Sequence, residues 1–128
     1  MIKYILLAAG GAIGTILRYS MSGLTYRIVN GVFPWGTIVV NLTGSFAIGL
    51  LWGFFEIQNI SSNMRNFIFI GILGGFTTFS TYALESLNLL RDGEIKWAMT
   101  NLLISNICGL ILVFAGFMLS KFIINLIK

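Results

Sequence analysis

The sequence predicts an all-α membrane protein of four transmembrane helices, and three observations carry that reading. Of 128 residues, 57% are hydrophobic and only 9% are charged, whereas soluble domains carry about 25% charged residues. A soluble core of this size has no room for so much apolar surface, so the solvent must be lipid. The charge-free stretches recur at the length a bilayer demands, and the loops between them are short. The chain is read as a single transmembrane domain over residues 1–128, with spans at 4–26, 33–55, 66–90 and 97–120.

A helix crosses a hydrocarbon core of about 30 Å with about 20 mostly apolar residues. The first span is the least clean. Lys3 to Arg18 leaves 14 uncharged residues, about 21 Å of helix and too short alone. A cleaved signal peptide competes here, but no small-x-small cleavage site with a polar follow-up appears, and the apolar pattern runs on to about Tyr26. Arg18 then lies inside the span, which makes it a functional candidate. The second span falls between Arg27 and Glu56, with Pro34 near its start, where a missing N–H costs least. The third begins after Arg65 and reaches about Leu90 if Glu85 is tolerated inside. The fourth lies between Lys96 and Lys121, with Trp97 placed as an interface anchor. Gly10 and Gly14, Gly49 and Gly53, and Gly71 and Gly75 are each four apart, a spacing that lets helix backbones approach closely in lipid.

Composition also excludes. With no His, one Cys and one Pro, most catalytic and metal-ligand constellations are absent. Cys108 sits in an apolar run and reads as a small packing residue. The net charge of +4 comes from scattered Lys and Arg, not from a basic stripe, so nucleic acid is not an expected partner. Four spans put both termini on one side with the loop after span two. That side holds Lys3, Arg65, Lys121 and Lys128; the other holds Arg27, Arg91 and Lys96, plus Arg18 if it reaches that interface. So even a count gives almost no orientation signal under the positive-inside rule. Either the bias is weak, or the chain inserts both ways and pairs antiparallel with itself.

Polar residues inside a membrane are costly and mark a function or a helix contact. Asn41 and Ser45 share a face of span two, and Asn101, Ser105 and Gly109 form a stripe on span four. Span three carries the run 74–82, GGFTTFSTY, which is poor continuous helix. A break there would free carbonyls for a small cation and offer a half-helix N-terminus to an anion. The competing reading is an unbroken helix whose Ser and Thr hydroxyls bond back to preceding carbonyls. Phe76, Phe79 and Tyr82 recur every three residues; their rings have electropositive edges that suit an anion, although packing alone also explains them. Glu85, one turn on, is read as reaching for the nearby surface, with an ion or proton site as the second possibility.

Gly10 to Gly14 followed by Arg18-Tyr19, Gly36-Thr37 with Asn41 to Ser45, and above all residues 74–82 resemble the fluoride-channel (Fluc/CrcB) family. The resemblance covers essentially the whole chain. It implies an antiparallel, dual-topology homodimer in the cell (inner or plasma) membrane, with two narrow pores that let fluoride leave the cytoplasm passively and so reduce its toxicity. It implies a central structural sodium ion held by backbone carbonyls of Gly74 and Thr77 at a break in helix three. The pore residues carried over are Asn41, Phe79, Tyr82 and Ser105, with Arg18 near the aqueous vestibule. Fluoride is small and strongly hydrated, so such a pore needs several close donors, such as Asn41, Thr81 and Ser105. Tyr82 departs from the family, where Phe is usual; its hydroxyl adds a donor and its ring edge is kept. The rivals are a small proton-coupled multidrug exporter, for which helix one lacks the expected glutamate, and a non-conducting membrane scaffold.

Overall fold

The computed structural model describes residues 1–127; Lys128, counted above among the cations of the terminal side, lies outside the described residues. Four helices are long and apolar enough to cross a membrane: α1 (Ile2–Ile28), α2 (Trp35–Phe55), α3 (Ser62–Arg91) and α4 (Ile95–Ile127). α1, α3 and α4 run longer than the expected spans, and α2 is shorter. α2 begins two residues late because Pro34 stands at its N-cap, where no helical N–H is needed. α4 continues past Lys121, whose ammonium is exposed and paired.

The helices sort into two tight pairs, α1 against α3 and α2 against α4. Glycine makes both contacts possible. A Cβ on Gly14 would run into the carbonyl oxygen of Ile72, and one on Gly10 into that of Phe67. On the other pair, Gly49 and Gly116 meet the backbone of Val113 and of Phe46, and Gly53 meets Ser120. Without a hydrophobic drive between helices in lipid, such backbone approach supplies the association energy as dispersion. The packing reading of the glycine pairs therefore holds.

α3 is not uniform. Residues Asn66–Leu73 follow a wide i→i+5 winding, Gly74–Phe76 form one α-turn, and a regular α-helix resumes at Phe79–Arg91. Between them Thr77 (φ −82°, ψ 158°) and Thr78 (φ −147°, ψ 118°) have extended dihedrals. Thr77 also bonds its hydroxyl back to the Leu73 carbonyl at 3.0 Å, so back-bonding and extended backbone occur at the same residue. α4 has a second wide turn over Ile104–Cys108. Such π-type turns often accompany functional sites, because they re-aim the side chains that follow.

Short connections close the bundle. Gly93 (φ 78°) ends α3 in the left-handed region that only glycine enters cheaply, and Glu94 N–H returns to the Leu89 carbonyl at 2.8 Å. Phe33 packs on Trp35 and Trp97 at ring-centroid separations of 4.9 and 5.0 Å, an aromatic cluster at one end of the bundle. At the opposite end, Lys121 Nζ donates to Glu56 Oε2 at 2.6 Å, and Arg65 sits over Trp52. The hydrogen bond from Lys121 holds the Glu56 carboxyl below the usual carboxylate range. This exposed pair adds little stability, present above the ordinary carboxylate pKa and lost as pH falls through the depressed one.

Candidate functional site

The extended residues of α3 do not stand unsupported. Asn41 of α2 clamps Thr78 from both sides of its backbone: Nδ2 donates to the Thr78 carbonyl at 2.9 Å, and the Thr78 N–H donates to Oδ1 at 2.8 Å. This pairing gives the Thr78 N–H a partner in place of a helical carbonyl, as backbone buried at membrane depth requires. Thr78 in turn caps the resumed helix, its Oγ1 accepting from the Thr81 N–H at 3.3 Å. The Thr81 hydroxyl is paired with that same oxygen at 3.0 Å.

Because the Thr78 N–H goes to Asn41, the Gly74 carbonyl loses its i+4 partner. The Thr77 carbonyl accepts from Arg18 Nη1 at 3.4 Å, a long contact that leaves a lone pair over. Two oxygens with spare acceptor capacity thus lie three residues apart beside the extended residues Thr77 and Thr78.

An open cleft of ≈ 320 Å³ lies beside them, lined among others by Asn41, Ser45, Phe79, Tyr82, Ser105 and Asn106. Of the sequence candidates, Asn41, Gly74, Thr77, Phe79, Tyr82 and Ser105 come together here. Arg18 and Thr81 do not: they line a second cleft of ≈ 480 Å³ on the α1 side, with Thr78 shared between the two. The two rings differ sharply in setting. Phe79 is 77% exposed and Tyr82 7%, with ring centroids 5.5 Å apart.

Polar side chains behind the cleft form a relay between α3 and α4. Ser105 Oγ donates to Asn101 Oδ1 at 3.3 Å, Asn101 Nδ2 donates to Ser86 Oγ at 2.9 Å, and Ser86 Oγ donates to the Tyr82 carbonyl at 2.8 Å. Asn101 is wholly buried, so its satisfied amide acts as interhelical glue. Ser86 and Asn106 are residues that the sequence reading missed. Asn106 Nδ2 reaches the Tyr82 hydroxyl at 2.9 Å, and the signal that could have found it was the unusual tyrosine, which needs a polar partner when buried.

Glu85 departs from expectation. Its carboxylate does not reach for the surface: Oε1 accepts from Thr37 Oγ1 at 2.8 Å, and Oε2 is buried with no protein partner among the described residues. The hydroxyl of Thr37 on α2 holds it inward.

Fold and site define a multi-pass membrane protein with a cleft in its helix bundle that mixes apolar walls with Asn, Ser and Thr side chains. The chain belongs to the CrcB family: residues 5–117 match the family described as "CrcB-like protein, Camphor Resistance (CrcB)". It is 51% identical over 128 residues to the fluoride-specific ion channel FluC of Parabacteroides distasonis, covering 100% of both chains. Proteins of the same name from Desulforapulum autotrophicum and Maridesulfovibrio salexigens are 41% and 43% identical, with 94% and 98% of this chain and 98% and 100% of theirs covered.

Proposed function

We propose that this protein is a fluoride-specific ion channel that lets fluoride leave the cytoplasm passively across the cell membrane. The observation that carries the reading is the cleft, where hydrogen-bond donors and an aromatic edge meet beside the extended residues Thr77 and Thr78, in a chain whose full-length relatives are named fluoride channels. A small anion gives up its water only where several donors replace it. Asn41 has one amide hydrogen left after its clamp on Thr78, the Ser45 hydroxyl lines the same wall, and the exposed edge of Phe79 is electropositive. The start of the helix at Phe79 adds its positive end. Arg18 and Thr81 belong to the separate α1-side cleft and serve as a vestibule that draws the anion in.

The working unit is an antiparallel homodimer, with α3 broken at mid-membrane. The balanced cation count supports it, as does a cleft whose open side leaves Phe79 largely uncovered. A structural sodium ion fits the oxygens of Gly74 and Thr77, because interrupted helices in membranes offer freed carbonyls to small cations. Sodium, when bound, supplies a fixed positive charge near the cleft and so lowers the cost of desolvating an anion there. Crystallographic density between these carbonyls is the expected result, and a filled, continuous helix through Thr78 would remove the sodium site.

Purified protein in liposomes tests the whole reading. Passive fluoride efflux with no chloride efflux is expected. Proton-driven drug uptake, or no transport at all from well-folded protein, would replace it with an exporter or a scaffold.

A further inference from the structure

Tyr82 carries a hydrogen-bond donor that no group among the described residues uses. Asn106 Nδ2 donates to the Leu102 carbonyl at 2.8 Å and to the Tyr82 hydroxyl at 2.9 Å. A carbonyl only accepts, so it fixes the amide with its nitrogen on that side. An amide nitrogen has no lone pair to offer, so in this pair the tyrosine oxygen is the acceptor. Both hydrogens of Asn106 are spent, and the proton of Tyr82 is not.

That proton sits where an unused donor is expensive. Tyr82 is 7% exposed, in a helix that crosses the membrane, and it lines the ≈ 320 Å³ cleft together with Asn41, Ser45 and Phe79. A buried hydroxyl without an acceptor loses its hydration and gains nothing in return.

We propose that the Tyr82 O–H donates to a small monovalent anion in the cleft, and that Asn106 is the positioning residue that keeps this proton turned toward it. The proposal deepens the channel reading and rests on it. By filling one lone pair of Oη, Asn106 holds the hydroxyl against rotation toward α4. By donating to that oxygen, it also polarises the O–H and makes it a better donor. The ligand class follows from the wall: the free Asn41 hydrogen and the Ser45 hydroxyl also donate, and the Phe79 ring presents its edge.

The test is fluoride efflux from liposomes measured against fluoride concentration. A hydrogen bond to a charged group is worth roughly tenfold or more in binding. Tyr82→Phe keeps the ring and its packing, so it should still transport, with the half-saturating fluoride concentration raised about tenfold. Asn106→Leu should raise it as well, by less. Combining the two should reproduce Tyr82→Phe alone, because Asn106 acts only through the hydroxyl. A merely structural Asn106 would instead add its full effect in the double variant, and that result overturns the proposal. So does a Tyr82→Phe protein whose fluoride dependence matches the parent. Should Tyr82→Phe fail to assemble, Asn106→Leu alone decides, and an unchanged fluoride dependence overturns the proposal. A parent protein that passes no fluoride sinks the channel reading itself, an outcome told apart by the parent's own trace.

Discussion

Phe79 and Tyr82 are one helical turn apart, yet their surroundings assign them different work. Tyr82 is sealed between α3 and α4 and bonded to Asn106, so substitution there mixes packing with chemistry. Phe79 is 77% exposed, so within one chain it stabilises little. That makes Phe79→Ile a clean experiment. As packing, the exchange nearly conserves hydrophobicity and should cost under ~1.5 kcal/mol with transport retained. As an anion contact, isoleucine removes the electropositive edge, and a barrier raised by ~3 kcal/mol slows transport roughly a hundredfold. We expect folded protein with efflux reduced by about that factor, read in liposomes. Wild-type efflux from Phe79→Ile would return the ring to packing. Asn41 is different again, since its amide serves the Thr78 backbone before it serves any ion.

Among the elements, α3 must satisfy its backbone where Thr77 and Thr78 are extended. The clamp from Asn41, the cap from Thr78 and the back-bond of Thr77 share that task. The α1–α3 contact holds this region in place, since Gly14 also faces the Phe76 backbone just ahead of Thr77 and Thr78. The atoms facing Gly14 are backbone and cannot swing aside. Gly14→Val should therefore destabilise the protein by ~1–3 kcal/mol or more through overpacking. Gly11→Ala adds a Cβ that meets nothing within 4 Å and should be neutral or slightly stabilising. Thermal unfolding in detergent separates them, and equal midpoints would mean that α1 and α3 are not packed backbone to backbone.

For the molecule as a whole, the question is how many copies make a working unit and how they face. The cleft is open on the side where Phe79 emerges, and the cations are balanced between the two ends of the bundle. In the proposed dimer, a second copy running antiparallel would close the cleft and leave neither orientation favoured. Two copies fused directly are forced parallel, because four spans return the chain to its starting side. Such a fusion should be inactive, and one with an extra span between the copies should conduct. Full efflux from the direct fusion would show that the antiparallel dimer is wrong.

Charge exclusion from hydrocarbon is a local property that sums along the chain, so the sequence alone determined the lipid setting and the number of spans. It also marked the run 74–82 as poor helix, because two glycines and two threonines disfavour helix wherever they stand, and Thr77 and Thr78 within it have extended dihedrals. The end of α2 was readable in the same way, and its start only to within two residues, on either side of Pro34. Partner choice is another kind of property. Asn41 meets Thr78 across 37 positions and Thr37 meets Glu85 across 48, and both depend on how helices are rotated about their own axes. Wide turns in α3 and α4 shift that rotation partway along each helix. A regular four-residue stripe therefore passed over Asn106, and only the packed bundle could bring that amide to the tyrosine hydroxyl.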